Sequence, residues 1–187
     1  MISGFREVGG YDYGYIKQNL LTNDRFGKRQ KQFAECLQYM PKAWIDAVIS
    51  KGKYTVSSIS NVRSQCDTLF REIECVDELK TMFHETMHMF EHDYKPLLQA
   101  EQAYYAMRTD GCELERLGGN YEKNEFSRFD DFIDKYMGKD YGGTAYELMS
   151  CCVQNVLFND TPLERDHSFE NKDEGLSDWA LGVLMLS

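Results

Sequence analysis

The sequence predicts an α+β fold, and three observations support this prediction. Apolar residues recur at helical spacing in several segments, and two shorter segments have the pattern of β-strands. The chain has 187 residues, of which 42% are hydrophobic, which suffices for one domain with its own core but not for two large ones. We therefore expect a single domain over residues 1–187, in which residues 1–39 form a peripheral N-terminal segment.

The first half of the chain is predicted to contain an irregular opening, two helices and two strands. Glycines are spaced among tyrosines in the first 30 residues, which is typical of turns around short strands, so we expect an irregular or β-rich segment there. Apolar residues at helical spacing predict helices over residues 29–39 and 44–49. Residues 54–59 are rich in β-branched side chains and residues 68–75 alternate weakly, so both are predicted to be strands.

The second half of the chain is predicted to be mainly helical. The apolar pattern predicts one helix over residues 77–92 and another over residues 96–107. Glycines mark a long loop from residue 111 to near residue 129. The next helix is expected to start near Thr144, and a last helix is expected to span residues 176–186.

The composition excludes two classes of partner. Lysine and arginine total 21 against 31 aspartates and glutamates, so the net charge is −10, opposite in sign to the charge that phosphate backbones select. No stretch approaches the roughly 18 consecutive apolar residues that a membrane-spanning helix needs. We therefore expect neither nucleic-acid binding nor membrane insertion.

The location expected from the sequence is cytoplasmic. The N-terminal residues lack the apolar segment of a secretory signal. None of the six cysteines has the C-x-x-C spacing of a redox or zinc motif, so we expect reduced thiols that pack in the core.

The strongest chemical signal is the segment 84–88, which has the pattern H-E-x-x-H within a predicted helix. Four helical residues advance about 400°, so His84 and His88 project from one face, one turn apart, where two imidazoles can bind one Zn²⁺. Glu85 lies beside the first histidine, where it can take a proton from a water molecule that the metal activates. The segment predicts a zinc site with Glu85 as general base, although a surface helix that happens to contain histidines would show the same letters.

A reversed pattern overlaps this motif, because residues 88–92 also satisfy H-x-x-E-H with Glu91 as the base. His84 and His92 are eight residues and about 12 Å apart along a helix, so one ion cannot bind both of them together with His88. We favour His84 and His88, because a third ligand must come from a later element and a downstream glutamate has the expected form.

That glutamate is Glu147, near the start of the second strongly apolar helix. Its carboxylate would complete a His₂Glu site and leave the fourth position to water. An acidic residue that stabilises the helix dipole explains Glu147 equally simply. Competing third ligands are Glu91, Glu113 and Glu115, of which Glu91 fits better as a residue that orients a ligand histidine.

A metal site of another class must also be considered, because the chain contains two E-x-x-H pairs of the kind that helical di-iron proteins use. These pairs are Glu85 with His88 and Glu164 with His167. A di-iron site needs four long helices, and the predicted strands and glycine-rich middle argue against such a bundle.

Three segments occur in a characteristic order. Residues 40–45 precede a predicted strand and Arg63, the H-E-x-x-H motif is followed by Glu91, and residues 130–139 contain Asp-x-Tyr-x-Gly-Lys before the helix of the third ligand. In this order the chain resembles the zincin-like metallopeptidase domain of tailed-phage and prophage proteins, which are often minor head or head-morphogenesis proteins. The resemblance is best over residues 40–187.

The resemblance implies a zincin-like α+β fold, in which a small twisted sheet packs on the H-E-x-x-H helix and on a second helix that carries Glu147. It also implies Zn²⁺ as the cofactor, with His84, His88 and Glu147 as its ligands and Glu85 as the base. A longer parent protein of such a domain would belong to a phage or prophage.

The expected function is zinc-dependent hydrolysis of peptide bonds in a peptide or protein substrate. We place strand 68–75 near the edge of the sheet, where an extended peptide can pair with it. Candidate donors to the oxyanion are Tyr136, Tyr141, Tyr146 and His167. The alternative is a catalytically silent zincin-fold module of phage or prophage origin that binds a phage or host protein.

Overall fold

The computed structural model describes residues 11–60, 63–119, 121–128, 132, 134–158 and 173–186. Seven α-helices lie in this part of the chain: α1 (Tyr13–Leu20), α2 (Lys28–Leu37), α3 (Lys42–Lys51), α4 (Leu79–Asp93), α5 (Lys95–Arg108), α6 (Leu148–Phe158) and α7 (Glu174–Leu186). Five strands accompany them: β1 (Thr55–Ser58), β2 (Gln65–Asp67), β3 (Glu72–Cys75), β4 (Leu114–Arg116) and β5 (Phe126–Arg128). These elements confirm the α+β class.

Helix α4 confirms the helix predicted for residues 77–92 and lies at the centre of the molecule. It packs against α2, α3, α5 and α6, and it also contacts β2 and β3. Aromatic side chains fill two of these interfaces, where Phe90 contacts Trp44 at a ring distance of 5.5 Å and Phe83 contacts Phe158 at 5.3 Å. These contacts on several sides fix the position of α4 in the fold.

Helix α1 shows that the prediction of an irregular or β-rich opening is wrong for residues 13–20, whereas residues 21–27 are largely irregular. The carboxylate of Asp12 accepts a hydrogen bond from the backbone N–H of Tyr15 at 2.7 Å and so caps the helix. Ile16 and Leu20, one turn apart, are both fully buried. Local glycine and tyrosine content predicted turns, whereas burial of this apolar pair stabilises a helix.

The N-terminal segment contributes side chains to the core. Phe33 and Leu37 of α2 are fully buried and belong to the same core cluster as Ile16 and Leu20 of α1. The apolar faces of α1 and α2 are therefore part of the core.

The larger sheet has the strand order β1-β3-β2. Strand β3 pairs in parallel with β1, with Thr55 opposite Glu72, and antiparallel with β2, with Gln65 opposite Glu74. The prediction that strand 68–75 lies near the edge is wrong, because β3 is the central strand. Ile73 on this strand is fully buried, as expected for a central position. The two outer strands are β1 and the short polar β2, and β2 has no β-branched or alternating pattern that would predict it.

A second, two-stranded sheet replaces part of the loop predicted for residues 111–129. Strands β4 and β5 pair antiparallel, with Leu114 opposite Arg128. Gly118 and Gly119, between the strands, have positive φ angles of 71° and 58°, which glycine adopts without strain. The glycines therefore mark the connection of a hairpin, and the three-residue strands are too short to give a periodic signal.

Helix α6 begins later than predicted, at Leu148 instead of near Thr144. The carbonyl of Glu147 accepts the hydrogen bond from the N–H of Cys151 at 3.1 Å, so Glu147 lies directly at the N-terminus of the helix. The side chain of Glu101, on α5, accepts from the N–H of Met149 at 2.9 Å and satisfies an amide that the helix itself leaves unpaired. Glu147 is therefore held at the point where α6 begins, facing α4.

Among the described residues, no helix has both the length and the apolar character needed to cross a bilayer.

Candidate metal centre

The structure brings together three of the residues that the sequence predicts as ligands. The Nε2 atom of His84 lies 3.2 Å from Oε2 of Glu147, and the Nε2 atom of His88 lies 3.3 Å from the same oxygen. The two imidazole rings are nearly perpendicular, with centroids 5.0 Å apart. Both Nε2 atoms therefore lie against one carboxylate oxygen.

Neighbouring side chains fix the carboxylate of Glu147, which is fully buried. The hydroxyl of Tyr141 donates a hydrogen bond to Oε1, and the hydroxyl of Ser150 donates to Oε2 at 3.2 Å. With both oxygens engaged, the carboxylate keeps its orientation toward the two histidines.

Glu91 lies behind His88. Its Oε2 is 3.2 Å from Nδ1 of His88, and its Oε1 accepts a hydrogen bond from the backbone N–H of Tyr146. This is the position of a residue that orients a ligand histidine, as the sequence suggests. The corresponding Nδ1 of His84 is buried and has no hydrogen-bond partner among the described residues.

The structure does not bring the other candidate ligands to this point. Glu113 and Glu115 are exposed near and in β4, away from the cleft. His92 of the reversed pattern is 49% exposed, and its Nδ1 lies 2.9 Å from Oδ1 of Asp93. Glu164 and His167, which would form the second pair of a di-iron site, lie outside the described residues.

The charges of Glu147 and His88 shift each other's pKa. Burial alone would raise the pKa of Glu147, but the positive charge of His88 and hydrogen bonds from both histidines outweigh it and hold this pKa well below its usual value. Burial would lower the pKa of His88, but the negative charges of Glu147 and Glu91 outweigh it and raise this pKa well above its usual value. The metal-free pair is therefore an imidazolium beside a carboxylate.

Glu85, the predicted base, is buried and lines the same cleft as the two histidines. Burial raises the pKa of its carboxyl above the ordinary value, and positive charge at His84 and His88 only partly offsets this. A carboxylate with a raised pKa is a stronger proton acceptor than an ordinary glutamate.

No protein-family model, curated protein or solved structure significantly matches this chain. The residues of the cleft are therefore the basis for assigning a function. The resemblance to a phage metallopeptidase domain stays a prediction.

The cleft has a volume of about 360 Å³. One side is formed by the edge of the larger sheet, where Gln65 and Cys66 of β2 line it. Another side is formed by residues between β5 and α6, including Tyr136 and Tyr141. The converging ligand atoms of His84, His88 and Glu147 lie between these sides.

The tyrosines proposed as oxyanion donors occupy different positions. Tyr136 lines the cleft, and its ring centre is 6.4 Å from that of His84. The hydroxyl of Tyr141 is engaged with Glu147, and Tyr146 packs against Tyr105 outside the cleft lining at a ring distance of 5.1 Å. Tyr136 and Tyr141 are thus the described candidates that line the cleft, and His167 lies outside the described residues.

Two residues that the structure brings to the site are assigned no role there from the sequence. Arg63 lines the cleft, and its guanidinium donates a hydrogen bond to the hydroxyl of Tyr136. Cys151 lies one turn after Glu147, and its sulfur is within 4.8 Å of ligand atoms of both His84 and Glu147. All six cysteines are free thiols, and the i, i+4 spacing of Glu147 and Cys151 is the one signal that connects Cys151 to the site.

Proposed function

We propose that this protein is a zinc-dependent metallopeptidase with a zincin-like fold, in which His84, His88 and Glu147 bind the metal and Glu85 is the general base. The observation that most supports this proposal is the convergence of both Nε2 atoms on one oxygen of Glu147, at 3.2 and 3.3 Å. Donor atoms about 2.0–2.2 Å from one tetrahedral ion lie roughly 3.3 Å from each other, and the two nitrogen–oxygen separations match this value.

The chemistry of the donors also fits zinc. Two imidazoles and one carboxylate form a ligand set of catalytic zinc sites, in which the fourth position stays open. The contact between Glu91 and His88 supplies the carboxylate–histidine support that such sites use. A bound Zn²⁺ would supply Lewis acidity, which polarises a carbonyl group and lowers the pKa of a water molecule to about 7.

Glu85 then performs the proton transfers. Its carboxylate accepts a proton from the attacking water and donates it to the amine that leaves when the peptide bond breaks. The raised pKa of Glu85 suits both steps, because a base that must also act as an acid works best with a pKa near the working pH. Tyr136 and Tyr141, which both line the cleft, are the described candidates for donating to the developing oxyanion.

The substrate in this proposal is an extended peptide, and β2 is the strand that would bind it. Strand β2 is one of the two edge strands of the larger sheet, and it lines the cleft. An edge strand offers unpaired backbone N–H and C=O groups with which a peptide can form β-sheet hydrogen bonds. This role belonged to strand 68–75 in the sequence-based prediction.

A specific observation favours the alternative, a catalytically silent module that binds a phage or host protein. Cys151 has its sulfur within 4.8 Å of ligand atoms of His84 and Glu147, close enough for these three side chains to hold one ion. A zinc site closed by a fourth side chain is structural and lacks the open position that catalysis needs.

The two proposals are separated by measuring zinc content and cleavage of a peptide library with the native protein, His84→Ala and Glu85→Gln. For the peptidase we expect one zinc ion per chain in the native protein, loss of zinc in His84→Ala, and retained zinc without cleavage in Glu85→Gln. His92→Ala is the matched control for zinc content, because His92 is on the same helix and lines the cleft but contacts Asp93 instead of Glu147.

The remaining outcomes have distinct meanings. Zinc that is lost in Cys151→Ala, together with a native protein that cleaves no peptide, favours the silent module. Two iron ions per chain would favour a di-iron site. Absence of any bound metal in the native protein would contradict both proposals.

A further inference from the structure

One side of the cleft is positively charged, although the whole chain has a net charge of −10. Arg63 and Lys139 both line this side. The guanidinium of Arg63 lies over the rings of Tyr136 and Tyr121, at 5.0 and 5.9 Å from their centres. The ammonium of Lys139 lies 4.4 Å from the ring centre of Tyr141. Aromatic faces therefore hold both cations at the cleft.

A single carboxylate serves both cations. Oε1 of Glu125 lies 2.5 Å from the ammonium of Lys139 and 3.3 Å from the guanidinium of Arg63. One negative charge between two positive charges leaves this side of the cleft with an excess of one positive charge. Lys139 is buried in its ion pair, whereas the side chain of Arg63 is 55% exposed and can receive a ligand.

Arg63 also has more N–H donors than its contacts with Glu125 and Tyr136 engage. A guanidinium has five N–H groups, and the contacts with Glu125 and Tyr136 engage one nitrogen each. Its planar fork matches the two oxygens of a carboxylate. The exposed part of Arg63 is therefore suited to an anionic group that enters the cleft.

Arg63 lies close to the strand along which a bound peptide would pair. It precedes the edge strand β2 by two residues, so a peptide that pairs along β2 passes beside it. Tyr136, which accepts a hydrogen bond from Arg63, has its ring 6.4 Å from that of His84. An extended peptide advances about 3.3 Å per residue, so Arg63 lies within a few residues of the bond at the metal centre.

We propose that Arg63, supported by Lys139, forms a subsite for an anionic group of the substrate, either an acidic side chain or the C-terminal carboxylate. This inference rests on the proposed peptidase function and names the class of peptide it acts on. A local cation is needed for such a choice, because the excess negative charge of the chain otherwise disfavours acidic peptides.

The test uses pairs of peptides that differ in one group. One pair has Glu or Gln at a scanned position near the cleavage site, and a second pair has a free or an amidated C-terminus. We expect kcat/KM of the native protein to be about tenfold higher for the anionic member of one pair. The pair that shows this preference tells whether the anionic group is a side chain or the C-terminal carboxylate. Arg63→Gln should abolish this preference by raising KM for the anionic peptide only.

Three variants make the result specific. Arg116→Gln is the matched control, because Arg116 is exposed in β4 and does not line the cleft, and it should keep the preference. Arg63→Glu should reverse the preference toward a Lys-containing peptide. Glu85→Gln, which should bind without cleaving, allows peptide affinity to be measured by fluorescence anisotropy, and its preference for anionic peptides should weaken at high salt.

The failure of this inference is distinguishable from the failure of the proposed function. Cleavage with equal kcat/KM for both members of each pair overturns the subsite and leaves the peptidase intact. Tighter binding of anionic peptides that depends on Arg63, without cleavage by the native protein, supports the subsite and overturns the peptidase. An equal loss of kcat for neutral and anionic peptides in Arg63→Gln overturns the subsite, because Arg63 would then act on the reacting carbonyl. Neither binding nor cleavage of any peptide overturns both.

Discussion

Glu147 lies against both His84 and His88, and this contact dominates the electrostatics of the cleft. The imidazolium of His88 and the carboxylate of Glu147 stabilise each other in a buried environment. Both groups of this pair are charged only over a limited range of pH. Because zinc binding requires neutral imidazoles, the same pair makes metal and protons compete for His88.

At the residue scale we predict that the pair of His88 and Glu147 stabilises the metal-free protein, in excess chelator, most strongly between about pH 4.5 and 6.5. His88 has a raised pKa, so its contribution is complete below its unfolded value of 6.5 and is lost as the pH rises through the folded value. Glu147 has a lowered pKa, so its contribution is complete above its unfolded value of 4.5 and is lost as the pH falls through the folded value.

Urea unfolding across this pH range measures the effect. His88→Gln should flatten the decrease on the alkaline side, while the variant His92→Gln should leave it unchanged. An alkaline decrease that persists unaltered in His88→Gln would show that His88 is not its source.

At the scale of elements, the short 3₁₀ helix Lys135–Gly138 joins the hairpin to the cleft. The carbonyl of Gly138 accepts a hydrogen bond from the hydroxyl of Tyr105 at 2.9 Å, and Ser127 of β5 donates to the carbonyl of Lys135 at 2.6 Å. A Cβ atom at Gly138 would lie 2.2 Å from the carbonyl oxygen of Arg128. This close approach of two backbones sets the positions of Tyr136 and Lys139 on either side.

We predict that Gly138→Ala destabilises the protein by roughly 1–3 kcal/mol, because the added methyl group forces the 3₁₀ helix away from β5. Gly182→Ala is the control, since Gly182 lies in α7 with open space where a Cβ atom would be added, and alanine there should stabilise the helix by about 0.5–1 kcal/mol. Chemical denaturation measures both. A Gly138→Ala variant as stable as the native protein would contradict the prediction.

How well the sequence predicted each element depends on how local its determinants are. The helix that carries His84 and His88 is marked by its own apolar period, so α4 and the histidine pair were predictable together. Strand β2 and the hairpin β4–β5 are stabilised by pairing with distant residues, and three residues are too few to show a period.

The same reasoning applies to the candidate site. Glu147 was predictable because a glutamate near a later apolar helix fits a third ligand, although it lies just before the helix instead of inside it. Arg63 and the hydroxyl contact of Tyr141 depend on how loops meet across the cleft, which no spacing along the chain encodes. The central position of β3 likewise depends on strand order, which the pattern of a single strand does not contain.

At the scale of the whole molecule, the candidate metal centre joins α4 to the start of α6. These two helices are far apart in the sequence and pack closely in the structure. A ligand set that spans both, with His84 and His88 on one side and Glu147 on the other, exists only when the helices are docked. Metal binding is therefore expected to be linked to global folding.

We predict that removing zinc with a chelator lowers the melting temperature of the native protein and that added zinc restores it. Excess free zinc at 100 times Kd corresponds to about 2.7 kcal/mol of added stability. Differential scanning calorimetry with and without chelator measures the difference. Glu147→Ala should show no such difference, and a zinc effect that survives in this variant would place the metal elsewhere.

The strand order of the larger sheet determines how much chain entropy each of its two strand pairings costs. Strands β2 and β3 are joined through residues 68–71 alone, whereas the pairing of β1 with β3 must close the longer segment 59–71. Closing a shorter loop loses less conformational freedom, so the β2–β3 hairpin is the pairing that the chain can form at the lower entropic cost. Strand β2, which borders the cleft, therefore belongs to the strand pairing with the shorter connection. The pairing of β1 with β3 costs more chain entropy.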